Sequence, residues 1–305
     1  MRILIVGTGG VGGYFGAKLA RGGISVTFLA RGAHLDAIRR DGLTVRSAVE
    51  GESRVAVDAV ADAGSLAVVD VALLCVKSFD TEAAVEAIRP AVGSDTAVLS
   101  LQNGVDNEAK VDSVLGRGHA MGGAAYVFAT IESPGVIVHR FAGRIIFGEL
   151  DGIVRPRTER LLDACRRASV PAEVSTEIQR VLWEKYLMIC AQAGMTALTR
   201  CPIGVIRETP ETWRMYRAIV EELASVGRAA GVRLPPDVVD QITKAAGAIA
   251  PDAYSSLYHD LIHGKRLELD ALHGHAVRLG ERLGVPTPML VAVDAALRPH
   301  ARGRA

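Results

Sequence analysis

Cysteine is scarce in this sequence of 305 residues, and its four cysteines lie far apart, at Cys75, Cys165, Cys190 and Cys201. None belongs to a Cys-x-x-Cys pair, which argues against a disulfide framework and against a zinc ribbon. His259 and His263 have the spacing of a zinc-binding helix, but Asp260 stands where a metalloprotease has glutamate and no clear third ligand follows. We therefore expect no metal site, and a reducing cytoplasm is the simplest compartment.

An excess of charge of either sign is also missing, as are long hydrophobic runs. Lys and Arg number 35 against 34 Asp and Glu, so the formal net charge is only +1. Such a balance gives no global field to recruit nucleic acid or an anionic membrane. No apolar run approaches the ~18 residues of a membrane span, and the apolar stretch of the opening MRILIVG is too short for a signal peptide. We expect neither a nucleic-acid partner nor a membrane partner.

The first half of the chain alternates short apolar runs with helical patterns, which is typical of a parallel sheet covered on both faces. This alternation predicts strands at 3–6, 24–29, 68–76, 97–101 and within 118–128, and a helix over 9–22. A hairpin is predicted as well, with arms at 137–139 and 144–147 that flank Ala142-Gly143. The predicted fold class is α/β: an N-terminal Rossmann-type parallel sheet domain over residues 1–170, followed by a C-terminal all-α domain over residues 171–305.

The second half lacks strand patterns after about residue 150. Helices are predicted over 157–168, 176–199, 211–230, 236–248, 255–263 and 268–283, and Gly194 is expected to strain or bend the second of them. Pro171 is the predicted domain boundary. The long apolar helices are compatible with a homodimer, and equally with a large internal core.

A glycine-rich motif, G-T-G-G-V-G, occupies residues 7–12, directly after the first predicted strand and at the start of a helix. In this context G-x-G-x-x-G predicts a dinucleotide-binding loop rather than a plain turn. Gly7 permits the tight turn, Gly9 lets the backbone approach the pyrophosphate, and Gly12 lets helix and strand pack closely. Gly10 and Val11 open the helix, whose N-terminal N–H groups face the phosphates.

The end of the second strand indicates which dinucleotide binds. An NAD enzyme usually carries Asp or Glu there, but this chain has Leu29-Ala30-Arg31. The Arg31 guanidinium suits a 2′-phosphate, so we expect Arg31 to bind NADPH. The alternative is an arginine that is exposed to solvent and binds no cofactor. Lys77 and Asn103 follow later strands at the edge where open α/β sheets bind ligands. We expect Lys77 to contact the phosphate or ribose and Asn103 to face the nicotinamide, although a surface lysine and an Asn-Gly turn are the simpler alternatives.

Lys185 is a charged residue at the edge of an apolar stretch that runs from Tyr186 to residue 191. A lysine whose pKa is lowered by burial can donate a proton to a developing alkoxide. A lysine that extends its amine to solvent has the same sequence pattern, so the pattern alone leaves both open.

Together these stretches resemble the ketopantoate reductase (2-dehydropantoate 2-reductase) family over nearly the full chain. The matching segments are residues 7–12, 29–31, 75–77, 101–104, 183–185, and 255–257 through 267–270. The resemblance implies NADPH-dependent reduction of a 2-oxo acid, as in pantothenate biosynthesis. It also implies a Rossmann domain, a helical domain and an active site in the cleft between them.

The resemblance further implies roles for individual residues. Lys185 falls on the family's general acid, and Asn103 on the residue that helps hold the lysine and the reacting oxygen. Ser256 falls on a ligand of the substrate carboxylate, and Glu268 on the acidic residue that binds substrate hydroxyl groups. Arg31 and Lys77, with the glycine loop, fall on NADPH contacts.

Four positions depart from the family's pattern. Where asparagine is usual, this chain has Ile189, Ala193, Ile203 and Ala253. Asparagine supplies donors and acceptors to a small hydroxylated acid, so their loss removes much of the polar contact with it. We expect the reduction chemistry to be retained with a bulkier or more apolar 2-oxo acid as substrate, because an apolar pocket discriminates less strongly.

Two other functions fit the same sequence features. One is a different Rossmann-plus-helical dehydrogenase, of the opine or 6-phosphogluconate type; an opine enzyme would require an amine as a second substrate. The other is an NADP(H)-binding sensor without catalysis, since a fold does not guarantee chemistry. The presence of both Lys185 and Glu268 favours an enzyme, because a sensor needs neither.

Overall fold

A computed structural model describes residues 1–304 and divides them between two compact units. Unit 1 comprises Met1–Gln102 and Asn107–Ile178, and unit 2 comprises Asn103–Asp106 and Gln179 onward. The sequence predicts the boundary after residue 170, whereas unit 1 continues to Ile178. Within residues 1–304, no helix combines the length and the apolar composition needed to cross a bilayer.

Unit 1 contains ten strands and five α-helices among the residues that the structure describes. The strands are β1 (Arg2–Val6), β2 (Ser25–Leu29), β3 (Leu43–Ser47), β4 (Gly51–Val55), β5 (Asp58–Val60), β6 (Val69–Leu74), β7 (Val92–Ser100), β8 (Ala120–Ser133), β9 (Val136–Glu149) and β10 (Ala172–Val174). The helices are α1 (Gly10–Arg21), α2 (Gly32–Asp41), α3 (Thr81–Ile88), α4 (Asn107–Leu115) and α5 (Pro156–Arg167).

All ten strands form one sheet in the order β4-β3-β9-β8-β7-β6-β1-β2-β5, with β10 paired to β9. Only β3–β4 and β8–β9 are antiparallel; the other pairs are parallel. Alternate residues of β1 belong to different cores: Ile3 and Ile5 pack with α1, and Leu4 and Val6 pack with α3. The central strands are therefore buried on both faces, as the apolar runs predict.

One sequence prediction about strands is wrong, and four short strands are missing from the prediction. The hairpin predicted at Ala142-Gly143 does not exist, because β9 runs through these residues as one strand paired with β8. The real turn lies at residues 134–135, where Gly135 has a φ of 78°. Irregular pairing near Ala142, which has a φ of 62°, explains why its sequence suggests a turn. The short strands β3, β4, β5 and β10 were not predicted.

Unit 2 is helical, as the sequence predicts. Its helices are α6 (Ile178–Thr199), which begins at the last residue of unit 1, α7 (Ile203–Glu208), α8 (Pro210–Ala229), α9 (Val238–Gly247), α10 (Ser256–Ile262), α11 (His273–Leu283) and α12 (Pro288–Leu297). The helix predicted from residue 268 instead starts at His273. Glu268 lies in the turn before it, where the Leu272 N–H donates to the Glu268 carbonyl oxygen at 3.1 Å.

Helix α6 is continuous across Gly194, and the glycine is explained by a neighbouring ring rather than by a break. A Cβ at Gly194 would lie 2.6 Å from Nε2 of His273. His273 is fully buried and its Nε2 lies 2.9 Å from the carbonyl oxygen of Cys190 on the same helix. Its Nδ1 has no hydrogen-bond partner within residues 1–304. Burial lowers the pKa of His273 to about 4, opposed by the Cys190 bond and by Asp294.

Because the pKa of His273 is lower in the folded state than its ordinary 6.5, acid should destabilise unit 2. The unfolded chain gains a proton first as the pH falls below 6.5, and the loss is complete near pH 4. The shift corresponds to roughly 3 kcal/mol of unfolding free energy. Denaturant titrations at pH 4 to 7 should show a shallower pH dependence in His273→Gln than in the wild type. His263→Gln, at an exposed site, should keep the wild-type dependence; equal slopes in all three proteins would contradict the assignment.

Candidate active site

The loop between β1 and α1 lies where the sheet changes its direction of winding. From β1 the chain passes first to β2 on one side and later to β6 on the other. Strands β7, β6, β1 and β2 are neighbours and parallel, so the segments that follow them emerge at one edge. In open α/β sheets this switch point is where ligands bind.

The three motif glycines serve different purposes. Gly7 has a φ of 95°, and a Cβ there would lie 2.8 Å from the Val76 nitrogen. A Cβ at Gly12 would overlap the Gly7 carbonyl oxygen, so this glycine allows the helix to pack on the loop. Gly9 faces open space, since a Cβ added there would meet no atom within 4 Å. The backbone is therefore approachable at Gly9, as pyrophosphate binding requires.

Gly10 and Val11 form the first turn of α1, whose leading N–H groups have no partner inside the helix. A Cβ at Gly10 would overlap the carbonyl oxygen of Ala129 on β8. Gly10 is therefore required for packing, whatever its N–H binds. Val11 is half-buried and packs against the core of unit 1.

Arg31 is the N-cap residue of α2 and is exposed, two residues after the end of β2. Its guanidinium is accessible at the edge where a dinucleotide ribose is expected. Thr8, for which the glycine motif predicts no role, is buried in the loop, and its hydroxyl donates to the Leu29 carbonyl oxygen at 3.1 Å. This bond ties the loop to the end of β2, close in sequence to Arg31.

Gln102 joins the ends of two neighbouring strands. Its Nε2 donates to the Val76 carbonyl oxygen at 2.9 Å and to Oγ1 of Thr81 at 2.8 Å. Lys77, which follows Val76, is half-buried. The glutamine of the Gln-Asn-Gly motif thus has a structural role, fixing the backbone from which Lys77 and Asn103 depart.

Lys185 lies two turns into α6 and is 8% exposed, and Glu268 is 7% exposed. Burial lowers the pKa of Lys185 to about 8, and the Glu268 carboxylate acts in the opposite direction. A buried amine that changes protonation state near neutrality, with a carboxylate close enough to influence it, is suited to proton transfer. The structure thus brings together two of the predicted catalytic residues.

Asn103 belongs to unit 2 although the flanking chain belongs to unit 1. Its segment, residues 103–106, contacts the rest of unit 2. Val105 packs against the unit 2 core, and an Asp106 carboxylate oxygen lies 3.5 Å from Nδ1 of His275 on α11. Asn103 is therefore carried by the same unit as Lys185. Sequence patterns gave no signal for His275, which is one of several histidines on α10 and α11.

Ser256 is exposed and is the first residue of α10. The preceding Ser255 is the N-cap, and its hydroxyl accepts from the Tyr258 N–H at 3.1 Å. The Ser255 hydroxyl also lies 2.7 Å from Oγ1 of Thr196, a buried residue of α6. Through this bond the helix that carries Lys185 fixes the start of the helix that carries Ser256.

The four apolar departures from the family's pattern all belong to the unit 2 core. Ala193 and Ile203 are buried, at 4% and 0% exposure, and Ile189 and Ala253 are half-buried against the same cluster. The Ile203 N–H donates to the Ala253 carbonyl oxygen at 3.0 Å. The Ala253 N–H donates instead to the Ala250 carbonyl oxygen at 3.0 Å, and the side chains of Ile203 and Ala253 offer no polar atoms.

The comparison with family models decides the family. The model of the ketopantoate reductase PanE/ApbA family matches residues 3–152, and its C-terminal model matches residues 177–301. The chain belongs to the ketopantoate reductase family. It is accordingly an oxidoreductase.

Individual members of the ketopantoate reductase family are similar along their whole length. The 2-dehydropantoate 2-reductase of Mesorhizobium japonicum is 31% identical over 98% of this chain and 97% of its own. The ketopantoate reductase structure from Ralstonia eutropha JMP134 has a TM-score of 0.91 and 34% identity, covering 99% of this chain and 98% of its own. A D-mandelate dehydrogenase solved with NADH and anilino(oxo)acetate shares the fold, with a TM-score of 0.90, 23% identity, and coverage of 99% and 98%.

Alanine substitutions at Gly9 and Gly10 should separate the binding role of the glycine loop from its packing role. Gly9→Ala should keep the wild-type melting temperature but weaken binding of a nicotinamide dinucleotide about tenfold or more, because a methyl group would stand in the open space beside the backbone. Gly10→Ala should lower the unfolding free energy by about 1–3 kcal/mol through the clash with Ala129. Thermal melts and NADPH fluorescence titrations measure both. Equal losses of stability in the two variants would contradict the distinction.

Proposed function

We propose that this protein reduces a 2-oxo acid to the corresponding 2-hydroxy acid, with NADPH as the reductant. The observation that carries the proposal is the buried Lys185, with a pKa of about 8 and Glu268 nearby. An amine of this kind is an effective general acid near neutral pH. A non-catalytic dinucleotide sensor would gain nothing from holding a charged amine out of water.

The residues of unit 1 fit a dinucleotide. Gly7 makes the tight turn, Gly9 leaves its backbone accessible, and α1 presents its N-terminal N–H groups. Arg31, exposed at the end of β2, would pair with the 2′-phosphate that distinguishes NADPH from NADH. Lys77 follows β6 at the same edge of the sheet, and we assign it to the phosphate or ribose. When bound, the reduced nicotinamide supplies the hydride.

Unit 2 supplies the groups that handle charge. The Lys185 ammonium donates a proton to the carbonyl oxygen of the substrate as negative charge develops there. Glu268 opposes the effect of burial, so that more of the lysine is protonated at neutral pH. We assign Asn103 to holding the lysine and the reacting oxygen. Ser256, exposed at the start of α10, is assigned to the substrate carboxylate.

The substrate is proposed to be bulkier or more apolar than ketopantoate. Ile189, Ala193, Ile203 and Ala253 remove four amide side chains that would bind a small hydroxylated acid. The D-mandelate dehydrogenase with the same fold was solved with anilino(oxo)acetate, a 2-oxo acid that carries an aromatic ring. The same fold thus accommodates a ligand with an aromatic ring, and the four apolar side chains are the reason to propose an apolar substrate for this chain.

Reduction should depend on protonated Lys185. Because a general acid must carry its proton, kcat/KM for NADPH-dependent reduction should be constant at low pH and fall tenfold per pH unit above about 8. Lys185→Ala should lose about 10²–10⁴-fold in kcat and lose this pH dependence. Glu268→Gln should move the fall in rate to lower pH, since the carboxylate raises the pKa of Lys185. Initial rates of NADPH oxidation measure all three.

The substrates for that experiment should include ketopantoate beside 2-oxo acids with longer aliphatic and aromatic side chains. Lys244→Ala, at an exposed position of α9, is the matched control and should retain wild-type rates. A micromolar KM for ketopantoate with no better substrate would reject the altered pocket. Tight NADPH binding without turnover of any substrate would reject the reductase itself.

Arg31 should determine the preference for NADPH. Removal of a guanidinium that pairs with phosphate should lower kcat/KM for NADPH by about 10–100-fold while NADH rates change little. Steady-state kinetics of Arg31→Ala with both cofactors measure the ratio, and Arg21→Ala, exposed at the end of α1, serves as the control. An unchanged ratio in Arg31→Ala would remove this residue from cofactor selection.

A further inference from the structure

Unit 2 contains a cavity of about 370 Å³ whose lining carries an unusual concentration of positive charge. Its walls are formed by four basic residues, two apolar side chains and two glycines: Arg200, Lys265, His300, Arg304, Leu261, Ile262, Gly264 and Gly303. No lining residue is acidic. The volume is in the range of small-molecule sites, which is roughly 300–1,000 Å³.

The cavity is built where a C-terminal segment crosses the loop after α10. The Arg304 N–H donates to the Gly264 carbonyl oxygen at 2.9 Å, and the Leu267 N–H donates to the Ala301 carbonyl oxygen at 2.9 Å. A Cβ at Gly303 would lie 2.5 Å from the Gly264 carbonyl oxygen, so glycine is needed for this close crossing. The crossing fixes the backbone beneath Lys265 and Arg304.

Arg200 reaches the cavity through an unfavourable backbone conformation. It follows the end of α6 with a φ of 57°, a left-handed geometry that helix ends usually give to glycine. A side chain in this region costs about 1 kcal/mol relative to glycine. An arginine retained at such a position is a reason to look for a role of its side chain.

The basic side chains are not needed to satisfy the ends of the surrounding helices. At the end of α10, the carbonyl oxygens of Asp260 and Leu261 accept from the N–H groups of Lys265 and Gly264 at 2.8 and 3.1 Å. The His300 carbonyl oxygen accepts from the Gly303 N–H at 3.0 Å. These carbonyl oxygens already accept hydrogen bonds from backbone N–H groups. Helix capping therefore does not explain why basic side chains line the cavity.

The cations of the cavity also lack the carboxylate partners that Arg217 and Arg298 have elsewhere in unit 2. Arg217 pairs with Glu221 and Asp240, and Arg298 pairs with Asp294 and Asp270. By contrast, Arg200, Lys265 and Arg304 make no ion pair within residues 1–304. In a chain with a net charge of +1, three unpaired cations around one cavity form a local concentration of positive charge.

We infer that this cavity binds a phosphorylated small molecule that also carries an apolar group. Guanidinium and ammonium groups pair with phosphate oxygens, with Arg200 and Arg304 suited to two-pronged contacts. Ile262, 43% exposed, and the half-buried Leu261 provide an apolar wall for the remainder of the ligand. The inference does not depend on the proposed reductase activity.

Calorimetric titration with sodium pyrophosphate, and with phenyl phosphate against inorganic phosphate, tests the site in the full-length protein. The titrations are made in the Gly9→Ala background, in which phosphate binding at the glycine loop is weakened. Pyrophosphate should bind saturably at one site, and the double variant Arg200→Ala/Lys265→Ala should bind it at least tenfold more weakly. Phenyl phosphate should bind more tightly than phosphate, and Ile262→Ser should remove that difference.

Two controls keep the result interpretable. All of these residues are exposed, so the variants should melt at the wild-type temperature. Arg31→Ala, in unit 1, should retain pyrophosphate binding even if it loses its preference for NADPH. The proposal is overturned if pyrophosphate does not bind saturably, if the double variant binds it equally well, or if only vesicles containing phosphatidic acid bind and the soluble phosphates do not.

Discussion

The removal of one ammonium group from water is the constraint on which the helical unit depends. An isolated buried charge is costly, and a lysine responds by lowering its pKa rather than by paying the full desolvation cost. Glu268 limits that response, so the amine changes protonation state within reach of neutral pH. Glu268 lies in the turn before α11 and Lys185 lies on α6, so the pair depends on contacts between separate segments of unit 2. The chemistry of the protein follows from how far each group is buried.

Much of unit 1 was predictable because its central strands are buried on both faces and are therefore continuously apolar. The glycine loop was predictable because close backbone approach admits no other residue. Strands β3 and β4 escaped prediction since they are partly exposed and carry mixed residues. The hairpin at Ala142-Gly143 was wrongly predicted because Ala-Gly occurs both in turns and at irregularities within a strand. In this protein it lies at an irregularity of β9.

In unit 2 the order of the helices was predictable, but the surroundings of the site residues were not. The apolar spacing after Glu268 suits a helix, yet the backbone breaks at Leu272, whose ψ is −96°. The Tyr186 hydroxyl donates to the Leu272 carbonyl oxygen, a contact between residues far apart in sequence. The same holds for Asp106 and His275. Such tertiary contacts leave no local periodicity, so Lys185 could be named as a candidate while its partners could not be assigned from pattern alone.

The assignment of residues 103–106 to unit 2 affects how chimeras between members of this family must be designed. Because this segment lies with unit 2 while its neighbours on both sides lie with unit 1, the chain passes between the units three times. A chimera made by joining two relatives at Ile178 would inherit Asn103 from one parent and Lys185 from the other. Exchange of the helical unit between relatives would therefore need a second, four-residue graft to keep these residues from the same parent.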